Sequence, residues 1–214
     1  MPALARHPTG DLRQMSLTTN DWLCIVTLAV AAYALGSVCT AIVVCQLFGL
    51  PDPRTEGSRN AGATNVMRLG GKLPALLTFL GDALKGVPPI AAAFALGLPL
   101  WMVGLIGMMA LIGHVYPVFF GFQGGKGVAT AFGVLLGLDW RFCGVALLAW
   151  ALVFAVTRVS SVASLLTFVL VMPVIAALYH HALLPALSLI GLLILWRHRQ
   201  NIVDLIAGRE RGFK

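Results

Sequence analysis

Lys126 stands among Gly121, Gly124, Gly125 and Gly127 in the run GFQGGKGVAT at 121–130, directly ahead of an apolar stretch with helical character. Glycines let backbone N–H groups approach a ligand closely, the ammonium adds a positive charge, and the amino end of the following helix adds the positive pole of its dipole. The three together suit a phosphate. The run is not a Walker A loop, because Gly127 stands where that motif needs the Ser or Thr that holds magnesium, so ATP is not implied. A second block, 49–72, alternates small hydrogen-bonding residues with glycine: Ser58, Asn60, Thr64 and Asn65 with Gly57 and Gly62. Arg68 follows, and its guanidinium can grip an anion through two parallel hydrogen bonds. In a third block, WRHRQNIVDLIAGRERGF at 196–213, His198 and Asn201 are three residues apart and share a helical face, with Glu210 further on. Arg197 and Arg199 of this block also suit anchorage at lipid headgroups. Asp82 and Lys85 have the same three-residue spacing inside a hydrophobic segment, where charges are costly unless they pair or line a cavity. They are either site residues or an internal ion pair.

The elements that must position these groups are set by composition. The chain has 214 residues, 59% hydrophobic and only 11% charged, against roughly 45–50% and 25% in soluble proteins. Both an ordinary soluble domain and a disordered chain are excluded, since disorder needs low hydrophobicity and high charge. Apolar stretches fall at 22–48, 73–98, 100–120, 128–138, 142–157, 162–179 and 182–196. About 20 residues cross the hydrocarbon core, so 128–138 is too short to span and reads as a half-depth helix followed by a return. The expected architecture is an all-α integral membrane protein, a helical bundle of about seven membrane segments in one domain over 1–214. The polar segment 1–21, with Arg6, Asp11, Arg13 and Asp21, puts the first apolar run too far in for a cleaved signal peptide.

The net charge of +7 would suggest nucleic acid in a soluble chain; in lipid its placement reports topology instead. With 49–72 inside, alternation puts eleven of the fifteen Lys and Arg residues on one side. Arg6, Arg13 and Arg141 fall outside, and Lys85 stays within the membrane. The expectation is a multi-pass membrane protein, N-terminus outside and C-terminus inside. The segments 49–72, 121–130 and 197–214, together with the Ser160, Ser161 and Ser164 cluster, then meet on the cytoplasmic face. Cys24, Cys39, Cys45 and Cys143 lie in apolar segments without CxxC spacing, which argues against a disulfide framework or a metal site. A transporter or channel for a phosphorylated anion is the alternative, but it calls for polar groups through the full depth. A purely structural bundle leaves the glycine, lysine and arginine blocks unexplained.

GSVCT at 36–40 with EGSRNAGATNVMR at 56–68, GFQGGKGVAT at 121–130 and HRQNIVDLIAGRE at 198–210 resemble, in order and spacing, the three signature regions of the bacterial acyl-phosphate-dependent glycerol-3-phosphate acyltransferases. This is an integral membrane family of the PlsY type, and the resemblance implies the bacterial cytoplasmic (inner) membrane as the location of this chain. GDALKG at 81–86 is similar to a further stretch common in that family, and the likeness runs from Gly36 to Phe213. Departures are Cys39 and Thr40 after GSV, Arg59 where glycine is usual, and Asp204 where arginine is common.

The resemblance implies transfer of a fatty acyl group from acyl phosphate to the first hydroxyl of glycerol 3-phosphate, with those two substrates and membrane lipid as partners. No cofactor, metal or nucleic acid is implied. Ser58 and Arg68 are assigned to the glycerol 3-phosphate side, with Asn60, Thr64 and Asn65 shaping their loop. Lys126 with the backbone of Gly124, Gly125 and Gly127 takes the acyl-phosphate side. Lys85 and Ser164 are further contacts, and His198, Asn201 and Glu210 brace the site. The HxxxxD pattern of acyltransferases that use acyl-CoA or acyl carrier protein is absent, because Leu12, Phe119 and Val203 follow His7, His114 and His198 by five residues. There is no GxSxG elbow either.

Overall fold

The computed structural model of the chain describes residues 18–213; expectations about Arg6, His7, Asp11 and Arg13 lie outside them. Among the described residues every regular element is helical. Thr18 caps α1 (Thr19–Gly36), accepting from the Asp21 N–H while the Asp21 carboxylate accepts from the Thr18 N–H at 2.8 Å, so two orphan donors of the first turn are satisfied. After a break at 37–39 the same apolar run continues as α2 (Thr40–Leu47). The segment 49–72 is not loop throughout: its second half coils into α3 (Ala63–Gly70). Then come α4 (Lys72–Leu84) and α5 (Val87–Ala95), separated at Lys85 and Gly86 just before the Pro88–Pro89 pair. Proline suits the first turn of a helix, where its missing N–H is no loss, and resists a helix running through it.

The centre of the bundle is α6 (Leu100–Val115) and α7 (Val128–Leu138), which carry many of the buried residues. α7 covers the residues expected of the short helix, and at 1.5 Å per residue it is about 16 Å long, half of a ~30 Å hydrocarbon core. Neighbours bury most of it, from Thr130 to Leu135 and again at Leu138, while Leu136 stays exposed. Gly133 lies so close to α4 that an added Cβ would stand 2.7 Å from the Ala83 carbonyl carbon, and one on Gly86 would stand 2.7 Å from the Thr130 oxygen. α1 and α6 meet equally closely, a Cβ on Gly36 falling 2.8 Å from the Ala110 carbonyl carbon. Small residues thus let helix backbones approach where no hydrophobic force drives association in lipid.

Asp139 caps α8 (Trp140–Thr157), accepting from the Arg141 N–H at 2.8 Å and from its guanidinium at 2.6 Å, which fixes the turn between α7 and α8. The next span, 160–179, comprises α9 (Ser160–Leu165), a π-helical stretch (Leu166–Val171) and α10 (Met172–Tyr179). α11 (Leu184–Arg197) is followed after His198 by α12 (Arg199–Ile206), with a bend of 56°. Among the described residues five helical segments are long and apolar enough to cross a membrane, and the bent 181–206 pair makes a sixth. With α7 they account for the seven apolar stretches of the sequence.

Asp82 and Lys85 resolve as the internal ion pair. Lys85 Nζ donates to Asp82 Oδ1 at 2.9 Å and to the Val38 carbonyl at 2.8 Å, with both side chains buried. That carbonyl lies in the α1–α2 break, so the lysine satisfies a polar group the interruption would leave unpaired. His114 Nδ1 lies 3.5 Å from the same carboxylate oxygen.

Candidate active site

The polar blocks meet at one end of the bundle. Arg54, itself paired with Asp52 at 2.7 Å, donates to the Phe120 carbonyl at 3.1 Å and joins the first block to the turn before the second. Arg197 donates to the Gly124 carbonyl at 3.2 Å and lies over the Tyr116 ring, joining the third block to the glycine turn. Phe213 N–H donates to the Arg158 carbonyl at 2.9 Å.

A chain of side-chain hydrogen bonds crosses this junction. Lys126 Nζ donates to Asn201 Oδ1, Asn201 Nδ2 donates to a Glu210 oxygen at 2.7 Å, and Ser161 Oγ donates to that same oxygen at 2.6 Å. Burial pushes the Lys126 ammonium down to about 8, with Arg197 and Arg68 nearby acting the same way and Glu210 opposing them. Burial likewise lowers Arg68, with Arg211 adding to it. The His198 ring donates from Nδ1 to the Ile194 carbonyl at 2.8 Å, which fixes its orientation at the α11–α12 bend.

Two cavities open here. A polar one of about 340 Å³ is lined largely by charged and amide side chains, among them Arg59, Arg197, Arg199, Asp204, Arg209 and Arg211. A larger one, about 580 Å³, joins the polar groups of the junction to an apolar groove and also reaches the buried Asp82 and His114. Its walls are helical stripes: Lys72, Ala75, Leu76 and Phe79 on α4, Leu147, Trp150 and Phe154 on α8, with Val128 and Phe132 of α7 as floor. Leu76 and Leu147 are exposed on the outer, lipid-facing surface, so the groove opens sideways. Both cavities are lined by Ser58, Asn60, Arg68, Lys126, Asn201 and Glu210.

The sequence matches the glycerol-3-phosphate acyltransferase family over residues 26–208. The chain belongs to the glycerol-3-phosphate acyltransferase family. A glycerol-3-phosphate acyltransferase of Pseudomonas savastanoi pv. phaseolicola is 53% identical over 186 residues, 87% of this chain and 96% of that one. Another from Idiomarina loihiensis is 47% identical over 188 residues, covering 86% and 93%. Among solved structures, PlsY (YgiH), an integral membrane glycerol 3-phosphate acyltransferase in its glycerol 3-phosphate form, superposes with a TM-score of 0.84 at 38% identity, covering 89% of this chain and 96% of that one. Its lysophosphatidic acid form gives 0.82.

Within this acyltransferase the residues singled out from sequence take different places. Ser58, Asn60, Arg68, Lys126, Asn201 and Glu210 share the junction, and Thr64, Gly127, Ser164 and His198 line the larger cavity. Four others do not line either cavity. Lys85 is held by Asp82 and Val38, as above. Asn65 is buried with its amide consumed: Oδ1 accepts from Ser58 N–H at 2.8 Å, and Nδ2 donates to Pro53 and Glu56 carbonyls at 2.9 and 3.0 Å. It shapes the Ser58 loop from behind. Gly124 and Gly125 pack against α6, with the Gly125 N–H donating to the His114 carbonyl at 3.3 Å. The cradle therefore rests on Lys126 and the amino end of α7, whose N-cap Gly127 has φ 88° and provides no side chain to cap the first turn. Ser164 Oγ is engaged by Ser160 and Trp150, so Ser161 is the serine that reaches Glu210. Spacing alone could not choose between two serines three residues apart on one helix.

Two consequences are testable. A Cβ on Gly125 would stand 2.5 Å from the Ala61 carbonyl oxygen and nearer still to the His114 ring. Gly125→Ala is expected to destabilise the protein by about 1–3 kcal/mol through overpacking against backbone, read as a lower midpoint of unfolding in detergent. Gly144, exposed on α8 with nothing within 4 Å of an added Cβ, is the control. Arg59, in place of the usual glycine, takes φ 55°, a left-handed conformation that costs a side-chain-bearing residue about 1–2 kcal/mol. Arg59→Gly should raise the unfolding midpoint. An unchanged or lower midpoint would show that contacts of the arginine outweigh the strain.

Proposed function

We propose that the protein transfers a fatty acyl group from acyl phosphate to the sn-1 hydroxyl of glycerol 3-phosphate, producing lysophosphatidate (1-acylglycerol 3-phosphate) and inorganic phosphate, the first acylation of phospholipid synthesis. The observation that carries this reading is the pair of cavities joined at Ser58, Arg68 and Lys126, one lined almost wholly by polar side chains and one that adds an apolar groove to the polar groups of the junction. A small phosphorylated polyol suits the first. An alkyl chain with a phosphate head suits the second, its chain entering sideways from lipid between α4 and α8. The forms in which the PlsY relative was solved, with glycerol 3-phosphate and with lysophosphatidic acid, support the acceptor and the product.

In this reading the acceptor hydroxyl oxygen attacks the acyl carbonyl carbon. The new ester C–O bond forms as the bond to the phosphate oxygen breaks, and the hydroxyl proton passes to a phosphate oxygen. The anhydride already carries a good leaving group, so positioning and charge stabilisation are the protein's main tasks. Lys126 and the amino end of α7 hold the departing phosphate; Arg68 and Ser58 hold that of the acceptor. Asn201 and Glu210 keep Lys126 aimed, with His198 bracing the bend. The single membrane domain is oriented with this face in the cytoplasm, where the basic residues collect, and with the opposite end, at Thr18 and Asp139, outside.

The test is incubation of purified protein with acyl phosphate and labelled glycerol 3-phosphate. Labelled lysophosphatidate with stoichiometric inorganic phosphate is expected. Well-folded protein that is inactive with acyl phosphate, yet makes product from acyl-CoA, would overturn the donor.

A further inference from the structure

After α12 the chain reverses at Gly208, which has φ 67°, while Arg209 and Glu210 N–H groups donate to the Asp204 carbonyl at 2.7 and 3.1 Å. Residues 209–213 then cross the junction of the two cavities as an irregular strap. Glu210 is tied inward by Asn201 and Ser161. The Arg211 carbonyl accepts from Arg68 Nη2 at 3.1 Å, and Phe213 N–H is fastened to the Arg158 carbonyl at 2.9 Å.

This places the Phe213 ring between two groups of opposite character. On one side it meets Phe154 edge-to-face at 5.7 Å, and Phe154 stacks on Trp150 at 4.9 Å, so the three rings form a continuous aromatic wall beside the apolar groove. On the other side the Arg68 guanidinium lies 5.2 Å from the Phe213 ring centroid. No carboxylate pairs with Arg68 among the described residues; a ring face and one carbonyl hold it. A ring's negative face attracts and orients a cation without neutralising it, and leaves its remaining N–H donors for an anion.

Resting on the proposed acyl transfer, we propose that Phe213 is a positioning residue: its ring aims the Arg68 guanidinium at the phosphate of glycerol 3-phosphate and closes the aromatic wall where the acyl chain gives way to its head. A carboxylate in that place would compete with the substrate phosphate for the same donors. One side chain thereby aligns the two substrates with each other.

The test compares Phe213→Tyr, which keeps the ring face, with Phe213→Leu, which keeps apolar bulk without it, in the full chain in detergent. Both should unfold at the wild-type midpoint. Phe213→Tyr is expected to keep wild-type kinetics. Phe213→Leu should lose roughly fivefold in kcat/KM for glycerol 3-phosphate, the scale of one cation–π contact, with little change in KM for acyl phosphate. Phe213→Ala, lacking the wall as well, should raise the KM for acyl phosphate too. Wild-type values in the leucine variant, or equal losses in the leucine and tyrosine variants, would overturn the proposal. Calorimetric affinity for glycerol 3-phosphate separates this from the reaction assignment. If the wild type binds it but makes no lysophosphatidate, the assigned reaction fails, while weaker binding by Phe213→Leu alone still supports the positioning role.

Discussion

Lys126→Ala is expected to cut turnover at least ~100-fold, the scale of removing one preorganised charge-stabilising donor. The ammonium lines both cavities and is held at the amino end of α7 by Asn201, which Glu210 holds in turn. Negative charge grows on the leaving phosphate as the acyl–oxygen bond breaks, and Lys126 meets that charge without reorganising. Its pH signature is specific. Burial brings the amine down to about 8 from an ordinary 10.5, so kcat/KM should fall as pH rises through about 8 and the ammonium is lost. The stability linkage has the opposite sign. Between about 8 and 10.5 the unfolded chain binds more protons at this residue than the folded one, so this group makes the fold more stable as pH rises there. An alkaline loss of activity with an unchanged or higher unfolding midpoint therefore reports the lysine rather than unfolding. The residual activity of Lys126→Arg, charged throughout, should lack that fall. Near-normal turnover in the alanine variant would remove Lys126 from the reaction.

Lys85→Met should destabilise the protein by about 3–5 kcal/mol, the cost of breaking a buried ion pair by removing one partner. Asp82 would be left buried, with only the His114 ring near its charge, and the Val38 carbonyl would lose its donor. Asp82→Leu combined with Lys85→Met should recover part of that loss, because no unpaired charge then remains in the apolar interior. Unfolding midpoints of the singles and the double in detergent decide it. A double variant as unstable as the sum of the singles would show that the pair is not the stabilising unit. Because the cluster joins α4 and α6 to the α1–α2 break, the variant is expected to lose stability ahead of catalytic constants.

Properties that depend on residues near one another in the chain are legible in the sequence alone. The length and apolarity of a run decide whether it crosses lipid, so the membrane character, the bounds of the short α7 and the break at Asp139 could all be read directly. The glycine turn around Lys126 was legible in the same way, whereas the left-handed backbone at Arg59 emerged only in the structure. What the chain order could not specify is which polar group faces which. Asn65 and Ser58 lie in one short block, yet Asn65 on α3 turns its amide back onto the loop backbone at Pro53, Glu56 and Ser58, while Ser58 lines the cavities. Lys126 meets Asn201 across 75 residues, Ser161 meets Glu210 across 49, and Arg68 meets the Arg211 carbonyl across 143. Those pairings follow from how the helices pack and where α12 bends, energies summed over the whole bundle. Tertiary packing therefore turned Lys85 and Asn65 from candidate contacts into supports, and brought Phe213, outside the three signature stretches, against Arg68.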